Sequence, residues 1–92
     1  NLLVDLREDY QQRYQSERSE NILELVMRLF EDPYLDVNTA AEWLDVEYST
    51  ANRLIGQLED DGILEELTGK DRNRFYRASE VFHIINKPID QL

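Results

Sequence analysis

The segment 39–77 leaves this chain few folds to choose from. Asn38 is placed to cap a short helix through Thr39, Ala40, Ala41, Glu42, Trp43 and Leu44, with Ala41 and Leu44 facing inward. Asp45 then falls where a turn between two helices needs a left-handed residue, a conformation that glycine adopts freely and aspartate tolerates at some cost. A second helix is expected over 48–61. Its apolar residues Ala51, Leu54, Ile55 and Leu58 share a sector of about 100° around the axis, so Ser49, Asn52, Arg53, Gly56 and Gln57 face away from the core. Gly62 fits the position that closes this helix. Residues 63–67 and 74–77 then read as two strands around a turn holding Thr68, Gly69, Lys70, Asp71, Arg72 and Asn73, and alternation places Phe75 inward. Helix, tight turn, amphipathic helix and basic hairpin, in that order, are the signature of a winged helix-turn-helix whose hairpin is the wing. The expected fold is mostly α with a small β-hairpin.

The flanks add a helix at each end. Leu3, Leu6, Tyr10 and Tyr14 form one narrow apolar stripe on an otherwise polar helix, which must pack on another helix, on a preceding domain or on a second copy of the chain. Ser19 is placed to cap a helix in which Ile22, Leu23, Leu25, Val26, Met27, Leu29 and Phe30 cover most of the circumference, so this element is the expected centre of the core. Asp32 ends it, because Pro33 disfavours helical geometry in the residue before it. A short edge strand over 34–37 precedes the helix pair. After the hairpin, Ser79 is placed to cap a last helix holding Val81, Phe82, Ile84 and Ile85, stopped by Pro88. The chain reads as a single domain: a leading helix over 1–17, a helical core over 19–62, the wing over 63–77, and a helix and tail over 79–92. A first residue other than methionine, with a helix already under way, is read as a piece cut from a longer protein.

Charge runs against the motif. The 92 residues carry 10 basic and 20 acidic side chains, a formal net charge of −10, and a low isoelectric point near 4.4. A phosphate backbone is repelled by such a surface unless the cations are gathered on one face. Residues 19–62 hold 11 acids against Arg28 and Arg53, and Glu59, Asp60 and Asp61 crowd the end of the second helix, where the macrodipole already disfavours negative charge. The bases are 8 arginines and 2 lysines, Lys70 and Lys87. This bias fits either a protein from a salty cytoplasm or an ordinary acidic domain. No cysteine is present, so disulfides and thiolate metal sites are excluded, and no long apolar run or signal pattern marks export or membrane insertion. A cytoplasmic location is expected.

The residues suited to a ligand lie on the second helix and the hairpin. Ser49, Asn52, Arg53 and Gln57 are short or forked hydrogen-bonding side chains on one outward face. Arginine can bond guanine through two donors, and asparagine or glutamine can do the same for adenine. Lys70, Arg72, Arg74 and Arg77 place 4 of the 10 basic residues within eight positions of the hairpin, and Asn73 adds a neutral donor. The competing reading of each is a solvated polar surface. Gly56, exposed in mid-helix, costs about 0.5–1 kcal/mol relative to alanine, which close approach of a partner would justify and drift at a tolerant position would explain as well. Chemistry has no foothold: His83 is the only histidine, with no cysteine or second histidine to join it in a nucleophilic or metal site. No catalytic residue, metal or cofactor is expected.

Four stretches, Arg18-Ser19-Glu20, Leu29-Phe30-Glu31-Asp32-Pro33-Tyr34, Ser49-Thr50-Ala51-Asn52-Arg53-Leu54 and Gly62-Ile63-Leu64-Glu65-Glu66-Leu67-Thr68-Gly69-Lys70, resemble in order and spacing the C-terminal winged-helix domain of Fic-family proteins. The resemblance covers nearly the whole chain. It implies an upstream Fic domain that transfers AMP from ATP to protein hydroxyls, whose histidine-phenylalanine and Gly-Asn-Gly-Arg signature is absent here, and an appended domain that binds DNA or regulates and targets the enzyme. Two positions depart from the pattern: Asp45 replaces the usual glycine of the turn, and Glu47 stands where a serine commonly caps the second helix. The expected function is therefore double-stranded DNA binding by a homodimer, paired through its first or last helix, with no membrane contact. The alternative is a protein-interaction or dimerisation module that touches no nucleic acid.

Overall fold

The structure, a computed structural model, describes residues 1–15, 20–69 and 74–86. Among them are five helices and a three-stranded antiparallel sheet: α1 (Leu2–Tyr14), α2 (Glu20–Arg28), β1 (Tyr34–Asp36), α3 (Val37–Leu44), α4 (Tyr48–Asp60), β2 (Glu65–Glu66), β3 (Phe75–Arg77) and α5 (Ser79–Ile85). Ser19 and the hairpin tip from Lys70 to Asn73 lie outside the described residues.

The narrow stripe of α1 is satisfied within the domain. Leu6, Tyr10 and Tyr14 are buried where α1 packs on α2 and α5, and Tyr10 meets Phe30 edge-on at 5.7 Å. Asn1 caps the helix by accepting hydrogen bonds from the backbone N–H groups of Leu3 and Val4. In α2, Ile22, Leu25 and Val26 are buried, and Leu29 is buried just beyond its end. The chain leaves α-helical geometry after Arg28, earlier than Pro33 alone requires. The Phe30 and Glu31 amides bond three residues back, to Met27 and Arg28, tightening the exit into a turn.

Helix α3 starts one residue after the strand, not at Thr39. Asp36, rather than Asn38, is its N-cap, with Oδ1 accepting from the Thr39 amide at 2.7 Å. The buried residues are Val37, Ala40 and Leu44, and Ala41, expected inside, lies at the edge of that face, half-buried against the core. Both α3 and α4 close in the same way. Val46 N–H reaches the Ala41 carbonyl and Asp45 N–H the Glu42 carbonyl. Ile63 N–H reaches Leu58 and Gly62 N–H reaches Glu59 in the matching pattern. The left-handed residue is Asp45 (φ 54°) in one case and Gly62 (φ 82°) in the other. Helix α4 packs closely on α3 through Ala51, Leu54, Ile55 and Leu58, the four residues its periodicity marks.

The sheet order is β1-β3-β2, so the hairpin is extended by the strand before α3. Leu35 faces Tyr76, and Tyr34 faces Arg77. This register reverses the orientation expected for β3: Tyr76 is buried and Phe75 points outward, 37% exposed. Pairing with buried Leu35 selects Tyr76 for the core, and Phe75 instead stacks on Tyr34 at 5.6 Å. Strands β2 and β3 are also shorter than the runs 63–67 and 74–77. Ser79 does not cap α5; Ala78 holds that position without a side-chain bond. In α5, Val81 is buried, Phe82 and Ile84 are half-buried, and Ile85 is exposed. Every buried side-chain nitrogen and oxygen among the described residues has a hydrogen-bond partner.

Candidate functional site

Helix α4 begins without help from its N-cap: Glu47 makes no side-chain capping bond, as its chemistry suggests, and Ser49 does not substitute for it. The first residue, Tyr48, is 50% exposed. Beyond it the outward face is graded. Ser49 and Arg53 are exposed, while Asn52, Gly56 and Gln57 are half-buried. Arg53 makes no hydrogen bond or ion pair among the described residues. Nothing lies within 4 Å of the place a Gly56 Cβ would occupy, so the fold itself has no need of glycine there.

The far end of α4 carries the acids, and α1 answers them. The Tyr14 hydroxyl donates to Asp61 Oδ2 at 2.7 Å, and Arg13 Nη2 donates to the Asp61 carbonyl at 3.4 Å. A cation and a hydroxyl therefore meet the negative end of the helix. Burial, with the bond to Asp61 second, raises the Tyr14 pKa above its usual value, and burial pushes Tyr10 up to about 12.

The hairpin meets α4 at its base. Arg74 has the same parity as buried Tyr76 and so lies on the side of β3 that faces the helix, where its Nη2 donates to Asn52 Oδ1 at 3.0 Å. Beside it, Asp36, Val37, Asn38, Tyr48, Arg74 and Phe75 line a small hollow of about 80 Å³. Asp36 is already engaged there as the α3 cap. The electrostatics are mixed: burial raises the Tyr76 pKa, Arg74 opposes that rise, and Glu59 and Glu66 reinforce it.

Of the eight residues singled out on sequence, Ser49, Asn52, Arg53, Gln57 and Arg74 are described, and the structure joins Asn52 to Arg74. Lys70, Arg72 and Asn73 lie outside the described residues. Arg77, counted with the basic hairpin, is engaged within the fold. Its Nη2 lies 3.3 Å from Glu65 Oε1, its Nε donates to Ser79 Oγ at 3.3 Å, and its guanidinium sits 4.6 Å from the Phe82 ring centre. Ser79 Oγ in turn donates to Glu65 at 2.7 Å, and these two bonds hold the Glu65 carboxyl below its usual range. Sequence reasoning assigned Tyr48 no role beyond starting the helix and placed Phe75 in the core, yet both rings are exposed beside the hollow. The signal for Tyr48 was a large aromatic at the first helical position, outside the apolar sector of Ala51, Leu54, Ile55 and Leu58.

Among the described residues no group of three or more histidine, cysteine, aspartate or glutamate side chains is placed to hold a metal, and no helix is long and apolar enough to cross a membrane. Compared with protein-family models, with curated proteins and with solved structures, the chain finds no match.

Proposed function

We propose that this chain is a winged helix-turn-helix module that binds double-stranded DNA, with α4 in the major groove and the β2–β3 hairpin as the wing on the adjoining backbone. The observation that carries this reading is the Asn52–Arg74 hydrogen bond, which sets the base of the basic hairpin against the outward face of α4, next to exposed Arg53. Ser49, Arg53 and Gln57 supply base contacts; Arg74, with Lys70, Arg72 and Asn73, supplies contacts to phosphate. The resemblance to Fic-family appendages extends the proposal: the module regulates or targets an AMP-transferring enzyme in the cytoplasm and has no catalytic role of its own. It works as a homodimer, its two recognition helices about one DNA turn apart. Because the α1 stripe is used inside the domain, that pairing relies on the outer residues Leu2, Val4 and Ile85, all exposed.

Two substitutions test the surface. Arg53→Ala weakens binding to the specific site by about 1–3 kcal/mol and relaxes preference at one base pair, whereas Arg72→Ala weakens all duplexes alike. If both variants bind as the parent does, the surface is misassigned. The second reading, a protein-interaction module, is favoured by the net charge of −10 and by the exposed rings of Tyr48 and Phe75 beside the hollow. It predicts no saturable binding of any duplex.

A further inference from the structure

We propose that Asn52 and Arg74 act as one unit: Asn52 is a positioning residue that holds Arg74 for a DNA phosphate, and sequence reading is left to Ser49, Arg53 and Gln57. This rests on the DNA-binding reading above and refines it.

A free asparagine on a recognition helix reads adenine with both edges of its carboxamide, Nδ2 donating to N7 and Oδ1 accepting from N6. Here Oδ1 already accepts from Arg74 Nη2 at 3.0 Å, so the orientation of the carboxamide is set by the hairpin. Both side chains are half-buried, and the bond joins residues 22 positions apart, across the gap between helix and hairpin. A guanidinium carries five donors in a fixed fork, so one bond to Asn52 leaves the others for an anion. Holding the fork in place removes a freedom that a flexible arginine loses on binding. Asp36, which lines the hollow, accepts from the Thr39 amide through Oδ1 and is not paired with Arg74, and Arg77 is held by Glu65 and Ser79. Arg74 is therefore the cation that the base of the hairpin offers to a ligand.

The test is a double-variant cycle. The parent, Asn52→Ala, Arg74→Ala and the double variant are titrated with the preferred duplex and with a scrambled duplex at several salt concentrations, after thermal melting has shown each to be folded. Asn52→Ala is expected to weaken both duplexes by the same factor. The double variant is expected to bind no more weakly than Arg74→Ala, and both are expected to lose about 0.9 from the log–log salt slope. Losses that multiply in the double variant, or an Asn52→Ala loss confined to the preferred duplex, overturn the inference while leaving DNA binding intact. A parent that binds neither duplex overturns the DNA reading and the inference with it.

Discussion

Asp45 and Gly62 do the same work with different side chains, and the difference is measurable. Both are left-handed residues closing a helix, and only one of them is glycine. An L-residue in that region costs about 1–2 kcal/mol, less for aspartate, and glycine loses about 0.5–1 kcal/mol in chain entropy. Asp45→Gly is expected to stabilise the domain by up to about 1 kcal/mol, and Gly62→Ala to destabilise it by about 1 kcal/mol, both read from urea unfolding. Gly56 behaves differently. It has helical geometry and open space around it, so Gly56→Ala is expected to stabilise the free protein by about 0.5–1 kcal/mol. A loss of DNA affinity in that more stable variant would mark a close approach by the duplex; unchanged affinity would mark a tolerant surface position. At Tyr14, removal of the hydroxyl breaks the bond to Asp61, and Tyr14→Phe is expected to cost about 0.5–1.5 kcal/mol in the same assay.

At the scale of elements, α4, like α5, starts without a side-chain cap. Glu47 leaves the first turn without a side-chain cap, so Glu47→Ser is expected to add about 1 kcal/mol of stability and to raise the melting temperature. An unchanged melting temperature would show that the first-turn amides already have good partners. The uncapped end was legible in the sequence because glutamate is a poor cap, and the buried face of α4 was legible because four apolar residues share one sector of a helix. The β3 register was not. Phe75 and Tyr76 are adjacent aromatics in a three-residue strand, too short for alternation to arbitrate, and the choice was made by Leu35, some forty residues earlier. The α3 cap failed for a similar reason: Asp36 and Asn38 are both good caps, and the end of β1 decided between them. At the site, exposed Arg53 followed from periodicity alone. The Asn52–Arg74 bond and the capture of Arg77 by Glu65, Ser79 and Phe82 depend on tertiary placement, which no local pattern encodes.

For the whole molecule, three inward tyrosines give stability an alkaline limit. Tyr10, Tyr14 and Tyr76 all have folded pKa values above the ordinary 10.0, with burial the main cause. A raised tyrosine pKa means that the unfolded chain releases its proton first, so the contribution is intact below pH 10 and is lost as pH climbs through the folded value, about 12 for Tyr10. Denaturant midpoints are therefore expected to hold steady from pH 7 to 9 and to fall above pH 10, and the fall is expected to be shallower in Tyr14→Phe. The net charge of −10 acts over the same scale. Salt screens its self-repulsion, so a KCl series that fails to raise stability removes the case for adaptation to a salty interior.

The same salt axis tests the central claim, that a strongly acidic domain gathers enough cations on α4 and its hairpin to hold duplex DNA. With Arg77 engaged internally, the cations left are Arg53, Lys70, Arg72 and Arg74. Titration of labelled duplex DNA across salt concentrations is expected to give saturable binding that weakens with salt, with a log–log slope no steeper than about −3.6. Failure to saturate at the lowest salt, where electrostatic attraction is strongest, would contradict it.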